Sequence, residues 1–466
     1  MVTDEGRTCV VLNKHRTATL VACLVAIILL PLQGEAAGET SVRSPADTEA
    51  ACAGGFRGKQ PAPKVLQEVI EAHARWLEDA LDPRGKKANL CGANLRGARL
   101  REASLDRADL SGADLRGADL QEANLSEADL YGANLQKANL SGADLTDADL
   151  RKANLTKANL QEATLAEAAL FGATLTRANL RGAYMEGIHF YGADLQEADL
   201  REASLGDAHF YAANLRKANL SGAELIEADL RKAHLDKANL SKANLKGAVL
   251  AGANLEGANL QDADLFTASL RNTILVKANL QGAILSEADL SYANLREANL
   301  QRAGMAGVNL EGACLGKADL RGANLGMAVL FGSDLRGADL RTATLPRAVL
   351  ARAQLAAADL RGAVLEEAYL AGADLERANL ATANLEGANL VNAILRGANL
   401  QQANLRHANL QEAELSNADL EATILEGADL TKASGLTQAQ LNTATVGEDT
   451  KLPEGLERPK PRQAQP

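Results

Sequence analysis

The sequence predicts an all-β solenoid of four-sided coils, and three observations carry that expectation: an unbroken five-residue period, its apolar pattern, and the placement of its aromatics. Sixty-nine consecutive units run from Ala88 to Lys432 without insertion or slip. Leucine occupies every centre except Met185, Phe190, Phe210 and Met305. Alanine stands two residues before each centre except at Ile188, Thr273, Val308, Ser333 and Thr423. Side chains two apart on an extended chain share a side, so Ala93 and Leu95 point inward together. The three-residue step from Leu95 to Ala98 would turn the apolar side outward on a straight strand. The chain must therefore bend inward once per unit, and stacked coils then bury one continuous core.

The aromatics fix the number of corners. Nine units carry one, centred at 130, 170, 185, 190, 210, 265, 290, 330 and 370, and seven of these centres share a remainder of 10 on division by 20. A period of 15 scatters them, so the expectation is four faces, twenty residues per coil and about 17 coils. At strand-like spacing of about 4.8 Å per coil the rod is on the order of 80 Å long. The residue before the centre is Asn or Asp in 43 of 69 units, and glycine is frequent two residues after the centre. Both choices suit corners, because these residues tolerate turn geometry and bond nearby backbone.

Units such as Ala93-Asn94-Leu95-Arg96-Gly97 match A(D/N)LXX, and here the chain resembles the pentapeptide-repeat family. The resemblance covers about three quarters of the chain. It implies a right-handed quadrilateral β-helix with short helical caps at both ends. It says little of function, since a repeat scaffold is not an activity.

The remaining segments follow in order. Residues 1–36 read as an export signal: Lys14 and Arg16 precede an apolar run from Ala18 to Leu32, and Gly34-Glu35-Ala36 offers small residues for cleavage before Ala37. Thr17–Leu32 is short for a membrane span, which needs about 20 residues, so an uncleaved N-terminal anchor is the secondary reading. Leu20-Val21-Ala22-Cys23 imitates a lipoprotein box, but too little apolar sequence precedes it. Residues 37–62 read as a linker. Residues 63–87 read as a helical cap, with Val65, Leu66, Val69, Ile70, His73, Trp76, Leu77 and Leu81 at helical spacing. The repeat occupies 88–434. Residues 435–466 read as a C-terminal cap and tail, with a short helix around Leu436, Ala439 and Leu441 followed by an extended segment at 450–456. After cleavage three cysteines remain; a Cys52–Cys91 bridge is one reading and three unpaired thiols the other.

With the register fixed, each outward residue falls on one face. The face centred at 105, 125 and so on to 425 carries fifteen acids, among them Asp144, Asp147, Glu167, Glu224, Glu227, Glu366 and Glu367. Its four bases are Arg107, Lys246, Arg347 and Arg406, so its balance is 4 − 15 = −11, equal to the net charge of the chain. The face centred at 95, 115 and so on to 415 is positive, at 14 − 10 = +4. Some relatives inhibit or protect type II topoisomerases by resembling duplex DNA, which makes a DNA-mimic role the alternative reading of the acidic face. Fifteen acids over about 80 Å is one per ~5 Å, against one charge per ~1.7 Å of duplex. A solvated face that keeps a long rod soluble explains them with less.

The aromatic face is more informative. Phe171, Tyr191 and Tyr211 take the same outward position in successive coils and are expected to stack, with His189 and His209 beside them and Arg151 and Arg231 bounding the stack. Tyr131, Tyr292, Phe331 and Tyr369 extend the stripe, and Phe190 and Phe210 replace leucine inside the same wall. Exposed apolar area of this kind marks contact with a protein partner or a second copy. Stacking that merely rigidifies neighbouring coils is the competing explanation, and carbohydrate stacking would use the same residues. A metal on His189 and His209 lacks the third and fourth ligands a site needs. No nucleophile elbow, phosphate loop or metal-spaced Cys pair is present. The sequence therefore points to an exported, non-enzymatic, rod-shaped binding or scaffold protein without catalytic residues, cofactor or metal. Nucleic acid is not the expected partner, and membrane contact would run only through the N-terminal segment.

Overall fold

The computed structural model describes residues 55–459. The segment read as an export signal, most of the segment read as a linker, Cys52 and the last seven residues lie outside the described residues.

Parallel backbone bridges join residues twenty apart along the repeat, from Asn89 with Asp109 to Glu414 with Ser434. One coil is therefore twenty residues and four units. At each unit the N–H of the central leucine donates to the next coil, as Leu90 does to the Asp109 carbonyl at 2.7 Å, while the Asp109 N–H returns to Ala88 at 3.0 Å. The corner is a turn closed from Ala93 N–H to the Leu90 carbonyl at 3.0 Å. Its third residue takes positive φ at unit after unit, which explains the glycines there: Gly362 has φ 64°. Many corners nevertheless place a side chain in this left-handed region, as at Lys152 (58°), Glu227 (57°) and Ala357 (57°).

The Asn and Asp residues before the centres serve the corner. Their Oδ1 accepts from the N–H two residues on, as Asp129 does from Tyr131 at 3.0 Å. On the face centred at 100, 120 and onward they also form side-chain ladders from coil to coil. Asn259 donates to Asn239 at 3.1 Å and accepts from Asn279 at 3.0 Å. Inside, the leucine and alanine columns are buried along the whole repeat. Thr273 and Ser333, which replace alanine, satisfy their hydroxyls on the carbonyls of Leu270 and Leu330.

Helix α1, Pro63–Glu78, starts with proline in its first turn, where the missing N–H costs nothing. It buries Leu66 and His73 against the first coils. His73 accepts from the Ala88 N–H at 3.1 Å and faces the Asp106 carbonyl at 2.8 Å, so it is the neutral Nε2–H tautomer. Gly85 lies against the backbone of Trp76, where a Cβ would clash at 2.8 Å. At the other end helix α2, Gln438–Leu441, is held by a capping box between Thr437 and Gln440. Thr445 and Lys451 then bridge to Ile424 and Asp429, continuing the stack beyond the last repeat unit.

Candidate functional site

The aromatic face is built on the units centred at 130, 150 and onward, so each outward side chain is held by a bridged strand segment and a hydrogen-bonded corner. Phe171 and Tyr191 stack at 5.0 Å and 14°. His189 and His209 stack in a second column at 5.0 Å and 11°, and Tyr191 also lies 5.5 Å from His209. Behind them, inside the wall, Phe190 and Phe210 stack at 5.0 Å and are fully buried.

Three details differ from the sequence expectation. Tyr211 does not continue the stack. Its ring is covered by Arg231 at 5.9 Å and by Lys232 at 5.3 Å, and Lys232 donates to its hydroxyl at 2.9 Å. Cations on the next coil cover the Tyr211 ring in place of a third parallel ring, and His209 lies beside Tyr191 instead. Arg151 does not border Phe171 but lies over Tyr131 at 5.7 Å. Both arginines are already committed by bidentate pairs, Arg151 to Asp149 and Arg231 to Asp229, each with a 2.6 Å contact. Finally, Phe171 and Tyr191 each spend one ring face on the other, and Tyr191 also lies against His189 and His209. Sugar stacking needs open ring faces, so the crowding of Tyr191 disfavours it as a carbohydrate platform.

Electrostatically the ladder is a neutral window. Burial pushes the His189 imidazole below its ordinary pKa, His209 pushes the same way, and Glu167 opposes. Burial raises the Tyr191 phenol, with Asp229 adding and Arg231 opposing. The Nδ1 atoms of both histidines are buried without a hydrogen-bond partner. Among the described residues no group of three or more His, Cys, Asp or Glu could hold a metal.

Phe331 is 39 % exposed farther along the same face, with Arg352 5.8 Å over its ring, and Tyr292 and Tyr369 are also exposed.

On the acidic face the bases are neutralised locally and the balance of −11 stays with the remaining carboxylates. All four of its bases pair within it: Arg107 with Glu127, Lys246 with Asp264, Arg347 with Glu367 and Arg406 with Glu426, at 2.7–3.1 Å. Eleven acids, 15 − 4, remain without a base on that face. Glu224 and Glu366 accept from Asn244 and Asn384 at 2.6 Å, and Asp144 from Thr146 at 2.6 Å. Asp147 and Glu227 are at corners bordering the aromatic face, as is Glu167, whose carboxylate lies over the backbone of Gly187. The sequence reading overlooked that this face also exposes Tyr184 (60 %), Ile226, Phe266, Ile284 and Met327 (64 %). The register assigns these residues to this face, but a sum of charges is blind to apolar side chains among carboxylates. Cys91 is disulfide-bonded, while the Cys314 side chain is buried in the wall of the rod.

Comparison with known proteins places this geometry. The family model described as pentapeptide repeats matches fourteen overlapping segments spanning residues 86–434. No curated protein matches the chain. Among solved structures, a pentapeptide-repeat protein of the Arabidopsis thaliana thylakoid lumen is 37 % identical over 19 % of this chain and 63 % of its own, with a TM-score of 0.19. The chain thus spans less than two thirds of that relative. HetL, a protein involved in heterocyst differentiation regulation in Nostoc sp. strain PCC 7120, is 30 % identical over 58 % of this chain and 88 % of its own, with a TM-score of 0.18. QnrB1, a plasmid-mediated fluoroquinolone resistance protein, is 19 % identical over 44 % and 88 %, with a TM-score of 0.28. The family match over three quarters of the sequence decides the matter: the chain belongs to the pentapeptide-repeat family, and its rod is that family's right-handed quadrilateral β-helix.

Proposed function

We propose that this chain is an exported, non-enzymatic binding or scaffold protein that engages a protein partner through a lateral face of the rod. The observation that carries the reading is the framed ladder: Phe171, Tyr191, His189 and His209 form an uncharged window between two Asp-Leu-Arg-Lys units, at 149–152 and 229–232. Exposed aromatic edges beside fixed arginines suit a protein interface better than bulk water. Membership of a family of structural and binding proteins agrees with this, and flat walls offer no enclosed acid or nucleophile. The basic-then-apolar N-terminus and the disulfide at Cys91 support an oxidising compartment.

The test replaces Phe171, Tyr191 and Tyr211 by serine in the full chain. Binding should be lost while the circular dichroism of the rod is retained; unchanged binding would sink the reading. Fractionation in the native host, with sequencing of the mature N-terminus, checks export. An N-terminus near Ala37 supports it, and intact protein in the cytosol removes it.

One observation favours a second reading, a DNA-mimic-like modulator of a nucleic-acid enzyme such as a topoisomerase. From Asp144 to Glu227 the acidic face carries seven acids and no base over five coils. That is one charge per ~3.4 Å, close to the spacing along a single nucleic-acid strand. Association through this run would weaken steeply with salt and would survive the serine triple variant.

A further inference from the structure

The face that carries the ladder has two edges, and their charges are complementary to each other. Asp147 and Glu227 occupy the edge shared with the acidic face, and Lys152 and Lys232 occupy the opposite edge of the same coils. None of the four has an ion pair among the described residues, whereas Arg151 and Arg231 beside them are bidentately paired. Within one rod these acids and lysines are kept apart by the width of the face. Two rods laid face to face can join them.

Two symmetric arrangements are available. A twofold axis across the rods makes them antiparallel and sets the two acidic faces, each −11, on the same side. A twofold axis along the rods makes them parallel and sets each acidic face beside the partner's positive face. In the parallel case every coil meets its own copy with its edges exchanged. Lys152 then meets Asp147 of the other copy, and Lys232 meets Glu227. The ring column of Phe171 and Tyr191 packs on the column of Ala169, His189 and His209, and Val249 and Val329 meet Ala251 and Phe331. One like-charged encounter arises, Arg352 with Arg347, and Arg347 is already bonded to Glu367 at 2.7 Å.

Resting on the proposed lateral-binding reading, we infer that the partner of the aromatic face is a second copy of this chain, in a parallel, twofold, coil-for-coil dimer. The area is sufficient. A face about 80 Å long and about 10 Å wide covers roughly 800 Å² per copy, the size of a standard interface, whereas the ladder alone would cover about a third of that.

The experiment is sedimentation equilibrium of the full chain with a charge swap. Wild type should be dimeric at low micromolar concentration. Lys232→Glu should raise the dissociation constant at least tenfold, and Lys232→Glu combined with Glu227→Lys should bring it back to within about threefold. Ala251→Cys and Ala371→Cys, tested singly with a short bis-maleimide, should each link to its own copy, because an antiparallel pair can bring at most one of these positions to its twin. A monomer at 100 µM, failure of the swap to rescue, or crosslinking at only one position would overturn the inference. A monomer whose binding to a different protein is lost in the serine triple variant would overturn the dimer alone and leave lateral binding standing.

Discussion

The rings of Phe171 and Tyr191 stack 5.0 Å apart and 14° from parallel, so each hides a face and turns an edge outward. The spacing is that of adjacent coils, so the backbone imposes the stack and the side chains only accept it. Tyr191 meets three rings, since it also lies against His189 and His209. Tyr191→Ala should therefore cost more stability than Tyr211→Ala, whose ring meets cations only. Each lost ring pair is worth about 0.5–1.5 kcal/mol beyond area. Denaturant unfolding of the two variants checks the ranking, and equal losses would refute the ladder as a stabilising element.

His73 gives the clearest pH dependence. Burial lowers its pKa from the ordinary 6.5, against the opposing pull of Asp106, and protonation would place a second N–H against that of Ala88. His189 is lowered in the same direction, chiefly by burial. A histidine held neutral in the fold contributes stability that is fully present above about 6.5 and is lost as pH falls through the lowered value. Hydrogen exchange of α1, corrected for intrinsic rate, should accelerate between pH 7 and 5. His73→Leu should abolish that dependence and cost about 1–3 kcal/mol, because the buried Ala88 N–H loses its acceptor.

The repeat was legible in the sequence because its period is covalent: five residues, two inward, one corner. The twenty-residue coil was legible only because aromatics happened to mark one face. The ladder was half legible. Register placed Phe171, Tyr191 and Tyr211 in one column, but whether a third ring or a cation covers Tyr191's neighbour depends on side-chain competition across coils, which no periodicity encodes. Pairing on the acidic face was hidden for the same reason. Arg107 and Glu127 are twenty residues apart in sequence and meet only through the coil rise. Tyr184, Ile226 and Met327 were visible as residues, yet net charge is blind to an apolar side chain among carboxylates.

The corners carry avoidable strain. Ala357 has φ 57°, where an L-residue is disfavoured by about 1–2 kcal/mol and glycine is not. Ala357→Gly should raise stability by about 1 kcal/mol once the extra unfolded-state entropy of glycine is subtracted. Gly362→Ala should lower it by a similar amount, and crowding is not the cause, since the nearest atoms to the added Cβ lie at 3.8 Å. Paired melts of the two variants test whether the left-handed corner, rather than packing, sets the preference for glycine.

The asparagine ladder makes the sharpest chemical prediction. Asn259 donates to Asn239, accepts from Asn279, and also accepts from the Gln261 N–H at 3.2 Å. Its amide is thus used as donor and acceptor at once, which a carboxylate cannot do. Asn259→Ala removes all three bonds and should cost about 1–2 kcal/mol, since the half-buried partners recover some bonding to water. Asn259→Asp keeps both acceptor roles but sets a negative oxygen against the Asn239 carbonyl oxygen. That variant should be less stable at pH 7 than at pH 3, relative to wild type, because protonation restores a donor. Thermal unfolding of both variants across that range decides it. A pH-independent difference for Asn259→Asp would mean that the ladder amides flip freely and that the coil-to-coil bonds contribute nothing directional.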